Sequence, residues 1–429
     1  MAETIEVQSG ADPTSTPLSL DTIDIIGPHH YAANGYPHRE WTYLRKHHPV
    51  AWITYPNTDP FWAITKHADI VEISKQPNLW EITKRLLVFV NEAGAEANPN
   101  PVGRHLLNMN PPEHGEYRSI VSRRFTPRAV AELQPQIERI ACEVLDSVTD
   151  RDQCDFVLDI SSKIPLAVIT ELLGVPRQDW AQLFSWTNEI IAPRDPEFAK
   201  GATANETLER ARIGLFTYFT DLVHERQKHP TNDITSIVAG SRVNGAAMPE
   251  LEMLSYYLLL VVAGNETTRN ATTGGLMALI ENPAEFKRLR EDPSLIRSGV
   301  EEIVRWVSPV IQFSRTATAD TEIRGQKIRE GESVGMFYPS ANRDEEVFDE
   351  PFKFDVGRNP NPHIAFGIGE HFCLGANLAR LELQVIFRQL AQRLESVEPT
   401  GPAERILSSF VGGIKRFPIR YRMRPAPAH

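Results

Sequence analysis

Long apolar runs are missing from this sequence. The longest nearly unbroken one, Tyr256 to Gly264, falls far short of the roughly 20 residues a membrane helix needs. The N-terminus (MAETIEVQSGADPTSTP) has neither a basic start nor an apolar stretch, so a secretion signal is not expected; the reading is of a soluble cytoplasmic protein with no membrane anchor. Cysteine is scarce. Cys142, Cys154 and Cys373 cannot all be paired and are too few for a disulfide framework, which points to a reducing compartment. Positive charge is in deficit, 45 Lys and Arg against 56 Asp and Glu for a formal net charge of −11, and this argues against nonspecific binding to nucleic acid or to an anionic membrane. Repeats, low-complexity linkers and abrupt shifts of composition are also absent, so residues 21–429 are expected to form one domain behind a flexible tail at 1–20.

Apolar residues make up 41% of the 429-residue chain, enough to bury a sizeable core and to exclude wholesale disorder. AWITYP and FWAITKH, flanking NTD, read as a hairpin. Helical patterns cover about 113–125, 128–149, 160–173, 178–192, 203–228 and 233–240. Pro249 and Pro283 bound one long helix, roughly 50 Å at 1.5 Å per residue. A further amphipathic helix (DPSLIRSGVEEIVRWVSP) leads to strand-like alternation at 310–338, a loop at 345–372, a long helix from Cys373, and short strands from about 397.

FGIGEHFCLG, residues 366–375, places Cys373 where a loop feeds a helix. Backbone N–H groups and the positive helix end then favour thiolate over thiol. Gly367 and Gly369 permit a tight turn beneath a flat partner, and Gly375 allows close approach by the first helical turn. On these residues alone, Cys373 can be a small buried hydrophobe, a metal ligand or a nucleophile; no Cys and His cluster with zinc spacing surrounds it. In the long helix, LLLVVAGNETTRN groups Gly264, Glu266 and Thr267. A mid-helix glycine and a threonine able to bond back to the carbonyl of Ala263 lead to an expected local distortion. The group is either a polar notch holding water beside a ligand or the point where the helix passes into solvent, with Glu266 and Arg269 exposed.

These segments resemble the haem-thiolate cytochrome P-450 monooxygenases. The signature Phe-Gly-x-Gly-x-His/Arg-x-Cys-x-Gly is matched by Phe366, Gly367, Gly369, His371, Cys373 and Gly375, and the oxygen-binding motif Ala/Gly-Gly-x-Asp/Glu-Thr-Thr/Ser by Ala263, Gly264, Glu266, Thr267 and Thr268. The likeness spans roughly residues 30–425. It implies a mainly α fold with small β-sheets (α+β), with haem b held between the long oxygen-side helix and the helix after the cysteine loop. Cys373 would be the axial iron ligand, donating electron density; Thr267 would bond dioxygen and order water, and Glu266 would relay protons. His114, Arg118, Arg315 and His371 would meet the two propionates.

Glu-x-x-Arg occurs at Glu209/Arg212, Glu266/Arg269, Glu285/Arg288 and Glu302/Arg305. Three of these are expected to be solvated faces. Glu302 and Arg305 lie ahead of the strand region as in the family, with Arg358 of FDVGRNPNPH as the third member of a structural network.

The resemblance further implies insertion of one oxygen atom of O2 into a C–H bond of an apolar substrate: a terpenoid, a steroid side chain, or an alkyl or aromatic hydrocarbon. Electrons would come from a ferredoxin and ferredoxin reductase, docking over Arg123, Arg124, Arg128 and Arg380, and the enzyme is expected to be a monomer. Pocket walls are expected from Leu87 and Val88, from about 188–202, from Ala263 and Gly264, and from Val310, Ile311, Phe313, Phe410 and Val411. A peroxygenase, which has no need of Glu266 and Thr267, and a haem-binding sensor without turnover are the alternatives.

Overall fold

Proline sets many of the element boundaries, because it is tolerated in the first turn of a helix and breaks or kinks one further in. The structure, a computed structural model, describes residues 18–88, 90 and 104–426. In chain order the helices are α1 (Pro28–Asn34), α2 (His38–His47), α3 (His67–Ser74), α4 (Glu113–Ser122), α5 (Pro127–Ala131), α6 (Gln134–Asp146), α7 (Lys163–Leu173) and α8 (Trp180–Ile191). They continue with α9 (Ala204–Lys228), α10 (Ile234–Ala239), α11 (Glu250–Glu281), α12 (Pro283–Glu291), α13 (Ile296–Val307), α14 (Tyr338–Ala341) and α15 (Ala376–Arg393).

Several boundaries differ from the sequence reading. The helix expected over 128–149 is two, α5 and α6, and one turn of π-helix at Val157–Ser161 precedes α7. Pro283 ends α11 but also opens α12, which the sequence reading passes over. A proline between two helices serves both, as a stop and as a start. Most of the expected tail lies outside the described residues.

The 32-residue α11 is the axis of the helical body. It packs against α7, α8, α9, α13 and α15, and nearly every residue from Met253 to Val261 is buried on all sides, as a helix apolar all round must be. Beside this body lies a five-stranded sheet ordered Val50–Tyr55, Thr58–Ile64, Ser333–Phe337, Gln312–Ala317, Trp80–Glu81. The first two strands are the expected hairpin, with Trp52 opposite Trp62 and their rings 5.1 Å apart. Thr58–Ile64 pairs in parallel with Ser333–Phe337, so the sheet joins the two ends of the chain and brings Gln312–Ala317 up beside the segment at 86–88. No helix among the described residues is long and apolar enough to cross a membrane.

Candidate active site

The loop ahead of α15 turns through two left-handed glycines, Gly367 (φ 70°) and Gly369 (φ 73°). A Cβ on Gly369 would stand 2.3 Å from the Ser74 carbonyl oxygen, so sterics and backbone conformation both demand glycine. Cys373 N–H donates to Phe366 O at 2.8 Å and Gly367 N–H to Ile364 O at 2.9 Å, which closes the turn and fixes the sulfur at the mouth of α15. At Gly375 a Cβ would meet nothing within 4 Å, so this first turn borders open space. Burial pushes the Cys373 thiol up, against the Gly375 N–H and the Arg118 and Arg380 charges. A metal ion on the sulfur would favour the thiolate, since coordination deprotonates a thiol outright.

Near the cysteine, four groups from three elements converge. His114 of α4 and His371 of the cysteine loop stack with ring centroids 4.1 Å apart. Burial, with the nearby Arg118 and Arg315 charges, holds His114 down at about 4, and burial with Arg315, His114 and Arg118 lowers His371 still further. His114 Nε2 and His371 Nδ1 have no hydrogen-bond partner among the described residues. Arg315 is buried and donates to the carbonyl of Ser314 at 2.8 Å, and Arg118 donates to that of Phe372 at 2.7 Å. Two cations and two open imidazole nitrogens, with no carboxylate paired to them among the described residues, form a site for a dianion. That donor set fits the two propionates of haem. Among the described residues no group of three or more His, Cys, Asp or Glu could hold a metal ion, so a lone cysteine would bind iron here only as part of such a cofactor.

Across from this side, α11 exposes Ala263 and part of Gly264 and Thr267 amid buried neighbours. Thr267 Oγ1 donates to Ala263 O at 3.1 Å, the expected back-bond, and the helix continues through it to Glu281. Gly264 serves packing: a Cβ there would lie 2.8 Å from Ile169 of α7. Glu266 departs from the reading in which the helix passes into solvent. It is wholly buried and ion-paired with Arg269, itself 1% exposed, which corrects the expectation that this Glu-x-x-Arg is solvated. Burial raises its carboxyl, against the Arg269 charge. Arg269 Nη1 donates to Asn188 Oδ1 of α8 at 2.9 Å, and Asn265 Nδ2 reaches Thr187 Oγ1 at 3.4 Å. The pairing of Arg269 with Asn188 and of Asn265 with Thr187 escaped the sequence reading because nothing in the helical period tells which face meets α8.

Glu302, Arg305 and Arg358 are joined. Arg305 bonds both oxygens of Glu302 at 2.7 and 2.8 Å, and Arg358 Nε lies 3.2 Å from Glu302. Asn361 Nδ2 and the Asp355 N–H complete the carboxylate at 3.1 and 3.0 Å, while Arg305 reaches the carbonyls of Asn342, Pro351 and Lys353. The loop at 342–361 is thus pinned to α13. Glu285/Arg288 is also tied to this loop, through Asp355 and the Val356 N–H, so it too is more than a solvated face.

The expected wall segments meet one another. Gln312 clasps Val88 with its Nε2 on the carbonyl at 2.5 Å and its Oε1 on the N–H at 3.1 Å. Val310 bridges Val411, Ile311 N–H donates to Phe410 O, and the rings of Phe313 and Phe410 lie 5.7 Å apart. Leu87, Val310, Phe313 and Phe410 keep exposed surface, whereas Val88, Ile311 and Val411 are core residues behind them. On the opposite face, Arg123 and Arg128 are exposed, Arg124 bonds Asn232, and Arg380 is held by Glu301 at 2.7 and 2.9 Å over the Phe366 ring. Arg380, still partly exposed, thus also buttresses the cysteine loop.

The family model described as Cytochrome P450 matches residues 25–419. Cytochrome P450-terp of a Pseudomonas species is 37% identical over 92% of this chain and 96% of its own length. A steroid C26-monooxygenase of Mycolicibacterium smegmatis is 36% identical over 90% of each. Among solved structures, a Mycobacterium marinum cytochrome P450 in complex with pseudoionone superposes with a TM-score of 0.86 at 33% identity, over 95% of this chain and all of that one.

Proposed function

The chain belongs to the cytochrome P450 family, oxidoreductases that incorporate oxygen and bind haem b through a cysteine thiolate, and from that premise we propose that Cys373 would hold the haem iron and that the enzyme hydroxylates an apolar substrate of terpenoid, steroid or alkylaromatic type. The observation that carries the reading is the convergence of His114, Arg118, Arg315 and His371, two imidazole nitrogens open, beside Cys373.

Haem, when bound, supplies the activation of dioxygen and the transfer of one oxygen atom to carbon. The chain's own residues set the conditions. Arg118 and Arg315 would neutralise the propionates and the two histidines would help orient them; the glycine turn and Arg380 on Phe366 hold the cysteine in place. Thr267 keeps a hydroxyl proton at the surface of the cleft, bonded to Ala263 O. Glu266, one residue back and buried, is the reserve acid, held by Arg269 and through it by Asn188. The carboxyl is thus at α8, not in the cleft, and proton delivery through it requires that pair to loosen. Leu87, Val310, Phe313, Phe410 and Ala263 present no charge, so they favour a hydrocarbon and exclude water. The relatives named for a steroid and the neighbour holding pseudoionone support this class.

A ferredoxin and its reductase are the proposed electron source, meeting Arg123 and Arg128 at the exposed end of α4 and start of α5. The test of the central assignment is the spectrum of the reduced, carbon monoxide-bound protein. A thiolate-type red-shifted Soret band that disappears in Cys373→Ala is expected; absence of the band, or its survival in the variant, overturns the assignment. Thr267→Ala should consume reductant with little product, and product formation at the wild-type yield would remove the proton role.

A further inference from the structure

Two of the segments expected to wall the cleft, 188–202 and the turn that carries Phe410, meet through one carboxylate. Asp195, in the irregular stretch after α8, is 1% exposed. Part of what it does is local. Glu197 N–H donates to its Oδ1 at 3.0 Å, and the N–H groups of Phe198 and Ala199 donate to its carbonyl at 2.9 and 2.8 Å. The rest of the carboxylate reaches across the sequence: Leu407 N–H donates to Oδ2 at 3.0 Å and Lys415 Nζ to Oδ1 at 2.8 Å. A second pair joins the same segments, Arg416 to Glu197 at 2.5 Å. They also share a small apolar cluster, in which Ile191, Ala192, Ile406 and Val411 are buried and Phe198 and Phe410 pack against them.

The turn at 406–413 needs such ties. Its flanking strands, Glu404–Arg405 and Ile414–Arg416, pair at two positions with a register shift between them, and a two-stranded ribbon is marginally stable by itself. Ser408 Oγ accepts the N–H groups of Phe410 and Val411 at 3.2 and 3.3 Å, which shapes the turn without anchoring it. Toward 309–311 the anchors are backbone bonds, Gly412 N–H to Pro309 O at 2.8 Å and Ile311 N–H to Phe410 O at 2.9 Å; toward α11, Ile414 N–H meets Asn270 Oδ1 at 3.3 Å. Toward α8 the polar anchor is Asp195. A carboxylate kept from water costs several kcal/mol unless it is paired and hydrogen-bonded. Asp195 is met by two N–H groups and an ammonium, and that set is complete only while 195–197 and 407–415 stand together.

We propose that Asp195 is a positioning residue for substrate selection: by joining the stretch after α8 to the turn at 406–415 it holds Phe410 at a fixed depth in the cleft, so that a bulky apolar occupant is selected by its fit to that wall. This rests on the reading of Phe410 as a cleft wall. Asp195 acts through Phe410, whose ring keeps exposed surface and stands 5.7 Å from that of Phe313.

The test uses the haem-loaded full chain and two iron ligands read by the Soret shift, imidazole and the bulkier 4-phenylimidazole. Asp195→Asn keeps an oxygen for the Leu407 N–H and removes the charge that Lys415 meets. It should weaken 4-phenylimidazole roughly tenfold, the worth of one charge-assisted hydrogen bond, and leave imidazole unmoved. Lys415→Gln, at the less buried end of the pair, should do the same. In both variants peptides spanning 406–413 should exchange their amide hydrogens at least about tenfold faster, with the cysteine loop unchanged. Phe410→Ala tests the wall itself and should weaken 4-phenylimidazole alone. If Phe410→Ala alters neither ligand, the wall reading falls and the proposal with it. If Phe410→Ala acts but Asp195→Asn leaves either the 4-phenylimidazole affinity or the exchange at its wild-type value, the wall stands and the positioning role is overturned. Equal weakening of both ligands by Asp195→Asn marks a general loss of structure and overturns it too.

Discussion

Glu266 and Arg269 stand one turn apart on α11 and are paired wholly inside the protein, with Asn188 of α8 holding the same guanidinium. A buried pair of this kind contributes little net stability, but breaking it from one side leaves an uncompensated charge. It also couples the acid of the oxygen-binding motif to α8.

Arg269→Leu should therefore destabilise the protein by roughly 3 kcal/mol or more at neutral pH. The sign with pH follows from the carboxyl. Burial already raises Glu266 above 4.5, and without Arg269 it rises further. Such a group costs nothing below its unfolded value and an increasing amount as pH climbs through the folded one. Thermal melts should show the variant closer to wild type at pH 5 than at pH 8, and an equal deficit at both would count against an ionised pair.

Glu301 behaves in the opposite sense. Burial would raise it, but hydrogen bonds from His363 and Arg380 hold it at about 2. A carboxyl depressed in the fold adds stability above its unfolded value of 4.5 and loses it as pH falls through the folded one. Between about pH 5 and 2 the wild type should lose up to about 3 kcal/mol through this group. Glu301→Gln should flatten that part of the acid denaturation curve and release Arg380 from its place over Phe366, visible as a broadened Soret band.

Gln312→Leu removes the clasp on Val88 and leaves a buried N–H and carbonyl unpaired, at a cost of roughly 1–3 kcal/mol each before relaxation. The segment at 86–88 should loosen while the opposite side stays intact. A steroid or terpenoid titrated against the Soret shift should bind several-fold more weakly, with the carbon monoxide spectrum unchanged.

Arg315→Leu should speed haem transfer to apomyoglobin by roughly tenfold to a hundredfold, the worth of a charge-assisted hydrogen bond. His114→Phe keeps the stacked ring and should have the smaller effect. Identical release rates in both variants and wild type would remove these groups from the propionate site.

What the sequence discloses depends on whether a feature is written locally. The turn at Cys373 is legible because the glycines, the aromatic and the helix start lie within ten residues of one another. Glu302, Arg305 and Arg358 are found by adding the family pattern, but Asn361 and the Asp355 N–H, which complete the carboxylate, carry no signal in their spacing. The periodicity of α11 says that Glu266 and Thr267 point about 100° apart without saying which of them meets the cleft; packing against α7 and α8 decides that. Gln312 is a glutamine in a strand, and its partner 224 residues away is visible only after folding.

The cradle of Arg118, Arg315, His114 and His371 has a consequence for the economy of the molecule in the cell. Gathered cations without a counter-charge repel one another, and a dianion that binds the native chain and not the unfolded one converts that repulsion into attraction. By mass action such a ligand stabilises by RT ln(1 + [L]/Kd), about 4 kcal/mol at a thousandfold excess over Kd. The half-life and abundance of this protein should therefore track haem supply: iron-starved cells would hold less of it at unchanged transcription, and its clearance by proteases would begin on the α4 side of the cleft.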